Sequence, residues 1–148
     1  MLTKFAIYGE FDCFLLAGRY TLLDHSGLVE LLPLCSNKNI SVIIGGPYNS
    51  GILASNLSSE AMHFYSHAPH EVLGRARHIK TICDNFDVPL KAAALQFGLF
   101  HPAVVSTIPG SRSVSEIQEN FQMIEYPIPC EFWNHLKHEQ LIPEDAPT

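Results

Sequence analysis

The chain has 148 residues, 47% hydrophobic and 16% charged, which excludes a disordered tail and provides for a packed core. Its net charge of −6, with no basic run and no RNP-like aromatic motif, argues against a sequence-independent nucleic-acid binder, whose affinity rests on clustered positive charge. The length corresponds to about one domain.

Residues 1–10 lack a basic region followed by a long apolar core, so no secretory signal is expected and a cytoplasmic location is. Residues 11–17 form an apolar run closed by Gly18 and predict a first strand. Leu28, Leu31, Leu32 and Cys35 then recur at helical spacing after a turn at 24–27. Residues 40–44 are rich in β-branched side chains, are closed by Gly45-Gly46-Pro47, and predict a second strand. The uncharged stretch 39–59 is broken by Gly45, Gly46, Pro47 and Gly51, so it is no membrane helix. An excursion is expected around 57–69.

Val72, Leu73, Ala76, Ile79, Ile82, Cys83 and Phe86 mark an amphipathic helix after Pro69. A further helix begins near Pro89, with the proline in the first turn, and runs to Phe97. Val104–Ile108, closed by Pro109-Gly110, predicts a third strand. Ser113-Val114-Ser115-Glu116 reads as a capping box opening a helix with Ile117, Phe121 and Ile124 inside. Pro129 opens a last helix carrying Phe132, Trp133 and Leu136.

Strands alternating with helices predict parallel pairing through right-handed crossovers, and continuous apolar runs predict strands covered on both faces. Ligands of such folds gather at the carboxyl ends of the strands. Here those ends carry Arg19-Tyr20-Thr21, Gly46-Pro47-Tyr48-Asn49-Ser50-Gly51 and Gly110-Ser111-Arg112-Ser113. The last joins a helix N-terminus, with unsatisfied N–H donors and partial positive charge, to a bidentate cation, a pattern suited to phosphate. It suits an ordinary turn, cap and surface charge about as well.

Other candidates carry less. His63, His67 and His70 have no carboxylate or cysteine at ligand spacing, so no metal is expected. Tyr20 beside Arg19 and Asp24 reads first as a packing tyrosine and only second as an acid–base group. The scattered Cys13, Cys35, Cys83 and Cys130 form no C-x-x-C pair and are expected as reduced thiols.

The segments at 14–24, 42–54, 93–97 and 108–113, with the closing Glu144-Asp145-Ala146-Pro147-Thr148, resemble the aldo-keto reductase family in its aldose 1-dehydrogenase branch, of the L-fucose or D-threo-aldose type. The resemblance spans essentially all of residues 1–148, as one partial domain. It implies an α/β fold: the C-terminal portion, about strands six to eight with their helices, of a (β/α)8 barrel, with parallel strands and no closure by this chain alone. A closed barrel takes roughly 250 residues.

It also implies NADP or NAD as cofactor, with Gly46, Tyr48, Asn49 and Ser50 at the pyrophosphate and Gly110, Ser111, Arg112, Glu119 and Asn120 toward the adenosine. The implied reaction oxidises C1 of an aldose such as L-fucose to the lactone, the substrate being a small sugar or aldehyde. The family's nicotinamide-stacking tyrosine corresponds here to Gly45. Its catalytic Asp, Tyr, Lys and His belong to the N-terminal half of the barrel, and Lys4, Tyr8 and Tyr20 do not match them. The isolated chain is therefore expected to lack meaningful dehydrogenase activity, and to form a homo-oligomer or associate with an N-terminal half. The alternative is a non-catalytic nucleotide-phosphate-binding remnant or an oligomerising scaffold.

Overall fold

A computed structural model describes residues 1–63 and 66–148. In chain order, α1 (Leu2–Tyr8) precedes β1 (Cys13–Ala17), and α2 (Ser26–Val29) and α3 (Leu31–Lys38) lead to β2 (Ser41–Gly45). The short strands β3 (Met62–His63) and β4 (Ser66–His67) pair antiparallel. Then come α4 (His70–Asn85), α5 (Leu90–Phe97), β5 (Val104–Ile108), α6 (Val114–Ile124) and α7 (Cys130–His138). Part of the excursion expected around 57–69 falls on residues 64 and 65, outside the described residues.

The main sheet has the order β1-β2-β5 and is parallel throughout, with β2 in the centre. Phe14 lies opposite Val42 and Leu16 opposite Ile44, and all four are buried. Between Val42 and Ile43 the register against β5 shifts, so Val42 faces Val104 while Ile43 faces Ser106.

Among the described residues, the helices cover one face of this sheet only. Leu32 and Cys35 of α3, Ala76 and Ile79 of α4, Leu95 and Phe97 of α5, and Phe132 and Leu136 of α7 are buried there. Aromatic rings fill its centre: Tyr20 and Phe97 lie 5.0 Å apart and Phe132 meets Trp133 edge-on at 4.9 Å.

The opposite face corrects the expectation of two-sided cover. Burial alternates along β1, leaving Cys13, Leu15 and Ala17 outward; Leu15 is 59% exposed, and Ile108, opposite Gly45, is 53% exposed. The residues are apolar on both faces, but among the described residues only one face has a layer against it. The same holds for α6. It has no buried residue, and Ile117 and Phe121, expected inside, are exposed while Ile124 is only half-buried.

Smaller corrections concern the ends of elements. The first strand starts at Cys13, two positions later than expected, and Phe11 packs its ring on Phe14 at 5.0 Å. Pro89 is the cap of α5 rather than its first-turn residue. Its carbonyl accepts the N–H groups of Ala92 and Ala93. Helix α1 was not anticipated from the sequence. Lys38 Nζ donates to the carbonyls of Ala6 and Ile7 and holds its last turn against α3.

Candidate functional site

The carboxyl ends of β2 and β5 open into two adjoining depressions of about 410 and 700 Å³. Tyr48, Ser50, Gly51 and Gly110 belong to both. Gly46 and Asn49 line the first, and Ser111, Arg112, Glu119 and Asn120 line the second. The nine residues expected at the nucleotide therefore come together, from two segments that the whole of α4 and α5 separates in the chain, while Arg19, Tyr20 and Thr21 of the first strand end do not join them.

The loop after β2 is shaped by left-handed backbone. Gly46 (φ 62°), Asn49 (φ 48°), Ser50 (φ 59°) and Gly51 (φ 95°) all lie in the region that disfavours a Cβ. Asn49 N–H donates to the Gly46 carbonyl at 3.0 Å and Gly51 N–H to that of Tyr48 at 3.0 Å, so the loop is a pair of consecutive tight turns. A Cβ placed at Gly46, Gly51 or Gly110 would meet no atom within 4 Å, so bare backbone faces open space there. Asn49 is almost wholly buried, yet neither polar atom of its side chain has a hydrogen-bond partner among the described residues.

Side-chain bonds tie this loop to the segment after β5. The Tyr48 hydroxyl donates to Asn120 Oδ1 at 2.6 Å, and Asn120 Nδ2 donates to Ser111 Oγ at 3.0 Å. Burial first, and the charge of Glu119 second, raise the Tyr48 pKa and keep its hydroxyl a donor. Ser113 caps α6, its Oγ accepting Glu116 N–H at 3.2 Å. The reciprocal arm of the expected capping box is displaced: Glu116 Oε2 accepts the N–H of Arg112 at 2.6 Å, one residue ahead of the cap. That bond, ahead of an opposing effect of desolvation, and the nearby Arg112 charge hold the Glu116 carboxyl below its ordinary range.

Sequence reasoning missed two contributors. Lys91 reaches the second depression from α5 and donates to Glu119 Oε2 at 2.6 Å, and no spacing in the sequence marks it. Glu116 was legible only as a capping residue. Away from these depressions, Arg19 pairs with Asp24 at 3.0 Å, and Tyr20 is fully buried with its pKa raised, chiefly by burial and then by Asp145. It is a packing residue. His63 and His67 lie in β3 and β4 and His70 opens α4, and the described residues contain no group of three or more His, Cys, Asp or Glu placed to share a metal ion.

The sequence matches the Aldo/keto reductase family over residues 7–139. The chain belongs to that family. It is 45% identical over 133 residues to the pyridoxal 4-dehydrogenase of Microbacterium luteolum, a match covering 90% of this chain and 39% of that protein. It is 34% identical over 143 residues to the D-threo-aldose 1-dehydrogenase of Pseudomonas sp, covering 96% of this chain and 44% of that one. The chain thus spans about two fifths of the length of the curated relatives it matches.

Among solved structures, the holo form of aldo-keto reductase AKR11C1 from Bacillus halodurans superposes with a TM-score of 0.72 at 21% identity, over 97% of this chain and 48% of that one. The glycerol dehydrogenase AKR11B4 from Gluconobacter oxydans gives 0.61 at 13% identity, over 92% and 45%. These likenesses establish the fold. The parallel strands and their helices are a portion of an aldo-keto reductase barrel, and the described strands do not close it. The open face of β1, β2 and β5 is the side that looks inward in a (β/α)8 barrel.

Proposed function

We propose that this chain supplies the nucleotide-binding end of an NAD(P)-dependent oxidoreductase acting on a small sugar or aldehyde, with oxidation of an aldose such as L-fucose at C1 to the lactone as the reaction it serves. The observation supporting this reading is the convergence of the two strand-end segments on one pair of adjoining depressions in a chain of the aldo-keto reductase family. Barrels of this kind often bind phosphate after strands seven and eight.

The residues fit a dinucleotide on two counts. Bare backbone at Gly46, Gly51 and Gly110 leaves room for a phosphate to approach, and the buried amide of Asn49 has hydrogen-bonding capacity that the described residues leave unused. Gly46, Tyr48, Asn49 and Ser50 would hold the pyrophosphate region, and Gly110, Ser111, Arg112, Glu119 and Asn120 the adenosine side. When bound, the nucleotide would supply the acceptor for the hydride removed from C1 of the sugar.

The chain's own part is to bind and orient. The Ser50 and Ser111 hydroxyls and the first turn of α6 offer donors, and the Tyr48–Asn120–Ser111 bonds fix the spacing between the two halves of the cradle. Of the groups at the first strand end, Tyr20 is buried among aromatic rings and Arg19 is matched to Asp24, so neither is assigned proton transfer. Loss of an acid–base group costs about 10²–10⁴-fold. In this reading the catalytic residues belong to the strands that complete the barrel, as the family resemblance implies, and residues 1–148 act as a partial domain joined to them or to further copies of the chain.

A second reading, a non-catalytic scaffold, draws support from the open sheet face and from the exposed apolar residues of α6. No helix among the described residues is long and apolar enough to cross a membrane, and the setting proposed is cytoplasmic. Calorimetric titration of the purified chain with NAD and NADP, beside an assay with L-fucose, separates the readings. Saturable nucleotide binding without NAD(P)H production is expected. Binding of neither nucleotide favours the scaffold, and robust turnover by the chain alone contradicts the assignment of proton transfer elsewhere.

A further inference from the structure

A further depression, of about 530 Å³, shares no lining residue with the two at the carboxyl ends of β2 and β5. Three separate segments build it: His25 from the start of α2, Arg75 from α4, and Lys137, His138, Gln140 and Glu144 from the end of α7 and the stretch after it. The end of α7 is closed by its own backbone. Gln140 is left-handed (φ 56°), its N–H donates to the Lys137 carbonyl at 2.9 Å, and Leu141 N–H donates to the Leu136 carbonyl at 2.9 Å. These bonds satisfy carbonyls that would otherwise project partial negative charge from the helix end.

Arg75 fastens that turn to the loop after β1. Its Nη2 donates to the Leu141 carbonyl and lies 3.4 Å from His25 Nδ1, and its Nη1 reaches the Leu23 carbonyl at 3.5 Å. The guanidinium is therefore positioned by neutral groups alone. Arg75 and Lys137 are both half-buried, and among the described residues neither forms an ion pair. Asp24 and Glu71 act on Arg75 only from a distance, and Asp24 is already bonded to Arg19 and Ser26. Glu139 is shared between His78 and His138. Glu144 is the carboxylate of the lining, exposed and without an ion pair.

Two permanent cations thus share this depression with one carboxylate, in a chain whose net charge is −6. A cation drawn partly out of water with no counter-charge costs free energy, and an anion beside it offsets that cost. A fixed guanidinium fork with an ammonium nearby matches the oxygens of a phosphate or carboxylate. We infer that the depression binds a small, doubly charged oxyanion, of the phosphate or dicarboxylate class, between Arg75 and Lys137. This site does not depend on the nucleotide reading, since it shares no lining residue with the proposed cradle.

The test is a backbone-amide NMR titration of the full 148-residue chain with inorganic phosphate and, separately, with malonate, the ionic strength held constant with sodium chloride. Saturable shifts are expected at Gln140, Leu141, Ile142 and Glu144. Lys137→Gln is expected to weaken binding about threefold and Glu144→Gln to strengthen it about threefold, the scale of one partly exposed charge pair. A role confined to fastening the end of α7 to α4 moves neither affinity. A response to one of the two anions alone supports the site and names its class. Shifts that chloride alone reproduces, the absence of saturable shifts with both anions, or affinities unchanged in both variants overturn the inference.

Discussion

The Tyr48 hydroxyl donates to Asn120 Oδ1 at 2.6 Å, a bond between residues 72 positions apart that fastens the loop after β2 to helix α6. Through Asn120 it also positions Ser111, so one phenol sets the distance between both halves of the proposed cradle. Tyr48→Phe removes the donor and leaves the Asn120 carbonyl oxygen without it. A loss of about 1 kcal/mol in unfolding free energy is expected, together with a several-fold loss in nucleotide affinity. Urea denaturation and calorimetric titration measure the two. An unchanged affinity would remove this bond from the binding site's design.

Asn49 combines a buried, unpartnered amide with a left-handed backbone at φ 48°. Both features favour glycine in the free chain, since an unsatisfied buried polar group and a non-glycine left-handed residue each cost on the order of 1 kcal/mol. Asn49→Gly is accordingly expected to leave the melting temperature unchanged or raised while weakening nucleotide binding. A drop in stability would mean that the amide is already satisfied in the free protein.

His25 predicts how stability varies with pH. Burial first, and the Arg75 charge second, hold its pKa down at about 4, and Arg75 Nη2 lies 3.4 Å from its Nδ1. The folded state keeps the ring neutral where the unfolded chain protonates it. The stability His25 contributes is therefore complete above the ordinary histidine value and is lost as pH falls from there toward 4, at up to about 1.4 kcal/mol per pH unit. His101, held low by burial, adds in the same direction. At Asp24 burial acts upward, but hydrogen bonds from Ser26 and Arg19 outweigh it and lower the pKa, so its contribution too is lost on acidification. Denaturant midpoints measured between pH 7 and 4.5 are expected to fall, and His25→Gln is expected to flatten part of that slope. Identical slopes would contradict the burial of a neutral His25.

Exposed apolar surface predicts association. Leu15 and Ile108 lie on the open sheet face, Val105 is exposed at the register shift of β5, and Val114, Ile117 and Phe121 lie on α6, with β1 and β5 both presenting an unpaired strand edge among the described residues. Light scattering of the purified chain is expected to give a mass above the 16.5 kDa of one copy. Val105→Lys together with Phe121→Lys is expected to shift it toward that value without loss of helical circular dichroism. A monodisperse monomer before any substitution would contradict this.

Much of the fold was legible because the sheet strands carry β-branched or apolar runs closed by glycine or proline, as at Gly45-Gly46-Pro47 and Pro109-Gly110. What covers them was not. Leu15 and Val105 are as apolar as Leu16 and Val104, and a sequence records that a side chain avoids water without recording which chain segment supplies the cover. The same ambiguity placed Ile117 and Phe121 inside. Helix α1 escaped because it is short and no side chain caps its start, while its last turn is held from a distance by Lys38.

At the site, glycines and hydroxyls beside strand ends were readable from local order alone. Lys91 and the second bond of Glu116 were not, because both depend on where α5 and α6 come to rest relative to the loop after β5.

The most direct test of the nucleotide cradle is a backbone-amide NMR titration of the chain with NAD. Saturable shifts are expected at Gly46, at 48–51 and at 110–112, with the remote α7 unmoved. Absence of shifts at saturating nucleotide, or shifts centred on another surface, would contradict the assignment of this site.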